Sequence, residues 1–229
     1  MAWIRRYDMS VPSERTVGLD IATTTVAGGE LVVLPTDTVY GLGTDAFNAD
    51  AVAALLAAKG RGRDMPVPVL VGSPRTLDGI ATDISDDARA LVEGFWPGGL
   101  TLVTWVTASL HWDLGDTGGT VAVRMPLHPV ALELLTVTGP MAVSSANRSG
   151  SPPPTTVDGA IEQLGESVAI YLDGGPCGEA VPSTIVDVTG SVPRVLRVGD
   201  VPVEALREVV SVDSSTLGGL RPPSSPQER

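Results

Sequence analysis

Apolar and polar positions alternate along this chain in two rhythms, and the helical one comes first. Val17, Ile21 and Val26 repeat on a helical period between Ser13 and Gly28, which predicts a helix with Ser13 as N-cap and Gly28-Gly29 as its stop. Leu31 to Leu34 reads as a buried strand. Asn48 to Lys59 opens with capping residues, runs through alanine and leucine, and ends at Gly60, which suits a left-handed C-terminal position. Val67 to Val71 predicts a strand that Pro68 demotes to an edge or a bulge.

Further helices are predicted over Ser85 to Gly94, Pro129 to Thr136, Thr156 to Leu164 and Val203 to Val210. The β-branched runs Thr101 to Val106 and Thr120 to Arg124 predict two neighbouring strands. Short strands follow at Met141 to Val143, Val168 to Leu172, Ile185 to Val188 and Val195 to Arg197. Helices and strands alternate at first and strands crowd later, so an α/β domain with a mixed parallel and antiparallel sheet fits over residues 1–210. From residue 211 to 229 serine, glycine and proline dominate and too few apolar side chains remain to offset ordering entropy, so this stretch reads as a flexible tail.

Composition narrows the function classes. The 229 residues are 43% hydrophobic and 18% charged, which excludes a polar disordered chain, and no apolar run suits a membrane span. With 26 glycines, 19 prolines and only 4% aromatics, many turns carry the chain between strands and give the chemistry its loops. The formal charge of −12 argues against a surface that grips long RNA through phosphate neutralisation. A single cysteine, Cys177, excludes a disulfide framework, and the start lacks the pattern of an export signal, so the cytoplasm is the expected compartment. His111 and His128 lie far apart and without ligand spacing, so no protein-held metal is expected.

Three segments carry polar chemistry. Pro35 to Gly43 (PTDTVYGLG) follows a strand with hydroxyls, Tyr40 and two glycines, as a loop presenting N–H and hydroxyl groups to a small polar ligand would; an ordinary turn also fits. Lys59 to Arg63 (KGRGR) is a basic patch on an acidic protein, and Lys59 is the only lysine beside fourteen arginines. A basic helix end complementing the macrodipole is the plainer reading. Ser144 to Gly150 (SSANRSG) offers hydroxyl and amide groups at a strand end, as a capped turn also does. Arg124 and Arg197 are two further anion candidates.

Taken in order, PTDTVYGLG, KGR, FWPGGLTLV, VAVRMPLHPVA, SAN with the following SG and PT, PST and LRVG resemble the YrdC-like threonylcarbamoyl-AMP synthases over about residues 14–200. The resemblance implies one YrdC-like domain, a twisted sheet flanked by helices around an open cleft. It also implies a reaction: L-threonine, bicarbonate and ATP yield threonylcarbamoyl-AMP and pyrophosphate for tRNA modification, and the product passes to a separate transferase, so tRNA is met only indirectly. By carry-over the Lys-x-Arg and Ser-x-Asn motifs fall on Lys59, Arg61, Ser145 and Asn147. Threonine contacts fall on Thr38, Arg124, Ser145 and Ser183, with Tyr40 lining the cleft. Nucleotide contacts fall on Lys59, Arg61, Thr120, Asn147, Thr155 and Arg197, and Mg²⁺ is expected on the ATP phosphates.

Two positions depart from the family form: Met65 stands where an asparagine contacts nucleotide and Leu70 where a histidine contacts threonine, with Arg63 or Asp64 as compensating groups. Two rival readings remain: a carbamoyl-adenylate former, whose relatives carry additional zinc or kinase-like segments, and a non-catalytic RNA-binding module, which the acidity opposes.

Overall fold

The computed structural model describes residues 4–178 and 180–215. In chain order the elements are β1 (Arg6–Asp8), α1 (Pro12–Ala27), β2 (Val32–Leu34), β3 (Gly41–Asp45), α2 (Ala49–Lys59), β4 (Val69–Leu70), α3 (Thr76–Ile80), β5 (Ala81–Thr82) and α4 (Asp86–Phe95). They continue with β6 (Leu100–Val106), β7 (Thr120–Arg124), α5 (Pro129–Thr138), β8 (Met141–Ser145), α6 (Val157–Leu164), a 3-10 turn (Gly165–Ser167), β9 (Ile170–Asp173), β10 (Thr184–Asp187), β11 (Arg194–Arg197) and α7 (Val203–Val209).

Local chemistry sets most helix ends. Asn48, Ser85 and Thr156 each accept a backbone N–H in the first turn of α2, α4 and α6. Helix α1 differs from expectation: Pro12 opens it and Val11 precedes it without a side-chain cap, so Ser13 lies inside. At the end of α2, Gly60 takes φ 62°, its N–H donates to Ala57 and the Arg61 N–H donates to Leu56. This paired reversal directs the chain away from the helix axis immediately after Lys59.

The strands form one mixed sheet in the order β1-β9-β2-β3-β8-β4-β7-β6-β10-β11, with β5 on the far half of β6. Strand β4 is therefore central, between β8 and β7, where Pro68 had suggested an edge. Pro68 escapes the conflict by standing just before the strand, where only its carbonyl is used, accepting from Val143. Residues 41–43, expected as the end of a loop, open the inner strand β3. Its glycines serve packing rather than a ligand: a Cβ at Gly41 would stand 2.7 Å from Val143, and one at Gly43 3.0 Å from Met141.

Register assigns the faces. Arg124 pairs with Leu70 and Leu70 with Met141, so Arg124 shares a face with Met141, Val143 and Ser145. Over β9, β2, β3 and β8 that face is covered by α1 and α5 through Ala22, Val26, Val130 and Leu134. Helices α2, α3, α4, α6 and α7 pack on the opposite face through residues such as Leu55, Ile80, Leu91, Ala160 and Leu206. Over β7, β6 and β10 no helix among the described residues covers the first face, and Val103, Ala122 and Ile185 remain only half-buried there. This uncovered sheet surface is an open cleft.

The tail expected from residue 211 begins ordered instead. Asp213 bridges to Arg194 in parallel register, donating its N–H to Pro193 and accepting from Val195, so β11 offers it a free edge to pair with. Residues 216–229 lie outside the described residues.

Candidate active site

The end of β8 is where the two short polar motifs meet. Lys59, with only 3% of its surface exposed, donates through Nζ to the carbonyls of Ser145 and of Asn147, the latter at 2.7 Å. Its own carbonyl accepts from Ser149 at 2.8 Å. Burial, with the neighbouring charge of Arg61 adding to it, pushes the Lys59 ammonium down to about 8. Lys59 thus closes the turn that follows β8, where the motif alone suggested a phosphate ligand.

Arg61, two residues on, is held loosely: Nη1 donates to Ser144 Oγ at 3.3 Å, and the buried Nε has no partner. Desolvation lowers its pKa, opposed by Asp64. Asn147 is pinned through Nδ2, which donates to the carbonyls of Arg148 and Ser151, while its buried Oδ1 has no partner. Buried polar atoms are rarely left unsatisfied, so the unused Arg61 donor and the unused Asn147 acceptor each mark a place where a ligand's polar group fits.

Arg63 does not join this cluster. It forms ion pairs with Asp113 at 2.7 Å and Asp116 at 3.5 Å, so the dense basic patch read from KGRGR separates into a buried lysine, a site arginine and a neutralised surface arginine. Of the two residues that depart from the family form, Met65 is exposed and Leu70 is buried in the apolar cluster under α5.

A second group gathers around Arg124. Its guanidinium, 6% exposed, donates to the Gly98 carbonyl at 2.9 Å, to Thr38 Oγ1 at 2.8 Å and to Asp37 Oδ1 at 2.7 Å. Three of the five N–H groups of an arginine are thereby committed. Arg197 donates twice to the Ser183 carbonyl, at 3.0 and 2.8 Å, and reaches Ser183 Oγ at 3.3 Å. Ser183 Oγ also shares a 2.8 Å hydrogen bond with Thr101. Desolvation and then the charge of Arg124 lower the Arg197 pKa.

Of the residues expected at the site, Lys59, Arg61, Ser145 and Asn147 come together at one strand end, and Thr38, Arg124, Ser183 and Arg197 form the second group. Ser145 and Arg124 project from the same sheet face. Thr120 also lies on that face, but at the other end of β7, roughly 13 Å from Arg124 at about 3.3 Å per residue. Its hydroxyl is occupied by the Thr117 carbonyl. Thr155 is half-buried, and its carbonyl accepts from Cys177.

Tyr40 does not line the cleft. It is fully buried, and its hydroxyl donates to the Gly175 carbonyl at 2.7 Å and accepts from Gly174, bracing the loop after β9 from behind. Burial raises its pKa. Asp37, Ser144, Thr101 and the Gly98 carbonyl were not singled out from the sequence. All lie inside or beside quoted motifs, and only cross-chain contacts distinguish them. A separate concavity of about 610 Å³, lined by Gly29, Ala54, Ala57 and Glu166 among others, includes none of these residues.

The family model Sua5/YciO/YrdC, described as "Telomere recombination", matches residues 24–199. The chain belongs to the Sua5/YciO/YrdC family. Within that family it is 57% identical over 213 residues to "Putative threonylcarbamoyl-AMP synthase" of Mycobacterium tuberculosis (strain ATCC 25618 / H37Rv), covering 93% of this chain and 98% of the relative. "Threonylcarbamoyl-AMP synthase" of Pyrococcus abyssi is 39% identical, over 88% of this chain and 63% of that one. Among solved structures, P. abyssi Sua5 complexed with L-threonine superposes with a TM-score of 0.86 at 32% identity, covering 99% of this chain and 67% of that chain.

Proposed function

We infer that this Sua5/YciO/YrdC protein is an L-threonylcarbamoyladenylate synthase, which makes threonylcarbamoyl-AMP and pyrophosphate from L-threonine, bicarbonate and ATP. The observation that carries the reading is the convergence of Arg61, Ser145 and Asn147 at one strand end, with Ser145 on the sheet face that also carries Arg124 and Arg197. The relative crystallised with L-threonine supports threonine as the amino acid.

The chemistry suits this arrangement. The neutral amine of threonine captures carbon dioxide, or bicarbonate with loss of water, as an N-carboxylate. That carboxylate oxygen attacks the α-phosphorus of ATP, the bond to the β-phosphate oxygen breaks, and pyrophosphate leaves with the electron pair. No protein nucleophile is required, so the task is to bring an anion to a polyanion. The Arg124 fork, with Ser145 and Ser183, takes the threonine carboxylate. Arg61, and Arg197 from the other side, stabilise the charge on the phosphates, and Asn147 Oδ1 accepts a hydrogen bond from the nucleotide. Lys59 acts one step back, by fixing the carbonyls of Ser145 and Asn147.

Magnesium enters as part of the substrate, bound to the ATP phosphates. The product passes to a separate tRNA-modifying transferase, so tRNA is reached indirectly, and the cytoplasm is the compartment that fits this role. Among the described residues no helix is long and apolar enough to cross a membrane.

Incubation with ATP, Mg²⁺, bicarbonate and each amino acid in turn tests the reading through pyrophosphate release and the adenylate product. A preference for threonine supports it. Turnover with carbamoyl phosphate in place of threonine and bicarbonate, or no turnover with threonine, overturns it.

A further inference from the structure

Asp37 stands between Thr36 and Thr38 in the turn leading into β3, and one of its oxygens serves two partners. Oδ1 accepts from Arg124 Nη2 at 2.7 Å and from the main-chain N–H of Leu127 at 2.9 Å. Arg124 Nε donates to the Gly98 carbonyl, and the Gly98 N–H donates to the Met125 carbonyl at 2.9 Å. These bonds close a ring through three loops, residues 35–40, 96–99 and 125–128. The direction in which the Arg124 fork points is set by all three, and Asp37 supplies the only negative charge in the ring.

The local charge balance is equally specific. Arg124 is almost fully buried, and the Asp37 side chain is 15% exposed. Arg197 has no carboxylate within ion-pair distance among the described residues. Arg197 pairs with Ile185, and Ile185 with Thr101 on the strand next to that of Arg124. These two guanidiniums with one carboxylate leave a single positive charge, the complement of one substrate carboxylate. A fork fixed in advance also loses less freedom on binding than one that must be ordered by the ligand.

We propose that Asp37 is a positioning residue for the amino-acid substrate: it orients the Arg124 fork so that its two uncommitted N–H groups meet the substrate carboxylate, and it matches the charge of the pocket to one carboxylate. The proposal rests on the assignment of Arg124 to threonine given above. The plainer role, a buried ion pair that only ties loops together, makes a different prediction.

Asp37→Asn preserves the shape and one acceptor for Leu127 but removes the charge that aims Arg124. Hydrogen bonds to charged groups are worth enough that the threonine KM should rise roughly tenfold to a hundredfold. The ATP KM should stay within about twofold of wild type and the melting temperature within a few degrees, because the remaining loop bonds survive. In an Arg124→Lys background the same change should cost far less, since no planar fork is left to orient. An unchanged threonine KM, or threonine and ATP KM rising together, overturns the proposal. If Asp37→Asn does not fold, Asp37→Glu, which keeps the charge but displaces it, is measured in the same way, with the same split expected and the same outcomes overturning it. Wild type that makes no adenylate from threonine refutes the proposed function alone; calorimetric threonine binding to wild type and variant then decides the role of Asp37 separately.

Discussion

The ammonium of Lys59 donates to the main-chain carbonyl of Asn147 at 2.7 Å across 88 positions of sequence, joining the last turn of α2 to the turn that follows β8. A second bond to the Ser145 carbonyl completes the clasp. Lys59→Met keeps the apolar stem and leaves both carbonyls unpaired. Adenylate formation should fall on the order of 10²–10³-fold, as when a preorganised polar group is removed from an active site. Pyrophosphate release measures this, and a melting temperature lowered by several degrees should accompany it. Lys59→Arg should not restore activity, because a planar guanidinium does not fit a pocket shaped for a compact ammonium.

Arg61 is the contrasting case. It makes one long contact, to Ser144, so its removal costs the fold little. Arg61→Ala should keep the melting temperature within about 2 °C, as a substitution with few partners does. Its adenylate yield should fall on the order of 10²–10³-fold. Equal losses in both melting temperature and rate would mean that Arg61 is structural.

Lys59 also predicts a pH dependence of stability. Its pKa of about 8 in the folded protein lies below the ordinary 10.5, so between those values the unfolded chain binds more protons than the native one. Stability contributed by this site therefore rises with pH across that window, and below about pH 8 the cost of burying the ammonium is felt in full. The melting temperature of wild type should gain on that of Lys59→Met as pH climbs from about 8 to about 10.5. A difference that stays flat, or narrows, contradicts the assignment.

Gly199 lies against the loop that presents Ser183. An added Cβ would press on the Pro182 carbonyl oxygen and stand 2.6 Å from the Ser183 carbonyl carbon, both backbone atoms. Gly199→Ala should cost about 1–3 kcal/mol, typical of overpacking. That corresponds to several degrees of melting temperature in a domain of this size. Because the Ser183 carbonyl holds Arg197, the threonine or ATP KM should rise as well, readable in steady-state kinetics.

Local order was largely legible in the sequence. Asn48, Ser85 and Thr156 announce the helices they cap, Gly60 announces the reversal after α2, and the β-branched runs at β6 and β7 announce their pairing, because each signal acts within a few residues of its cause. The order of motifs along the chain likewise pointed to the family before any contact was visible.

What only the tertiary structure decided depends on neighbours distant in sequence. Pro68 reads as an edge signal, yet β4 is central because the strands on either side come from residues 120–124 and 141–145. Three basic residues in KGRGR look equivalent, but carbonyls from one loop claim Lys59, carboxylates from another claim Arg63, and only Arg61 is left with an unused donor. Tyr40 shares a motif with Thr38, yet its ring lies in the core and its hydroxyl is claimed by the Gly175 carbonyl from a distant loop, whereas Thr38 meets Arg124. Burial and pairing are properties of the assembled sheet, so residue types nominate candidates and packing assigns their roles.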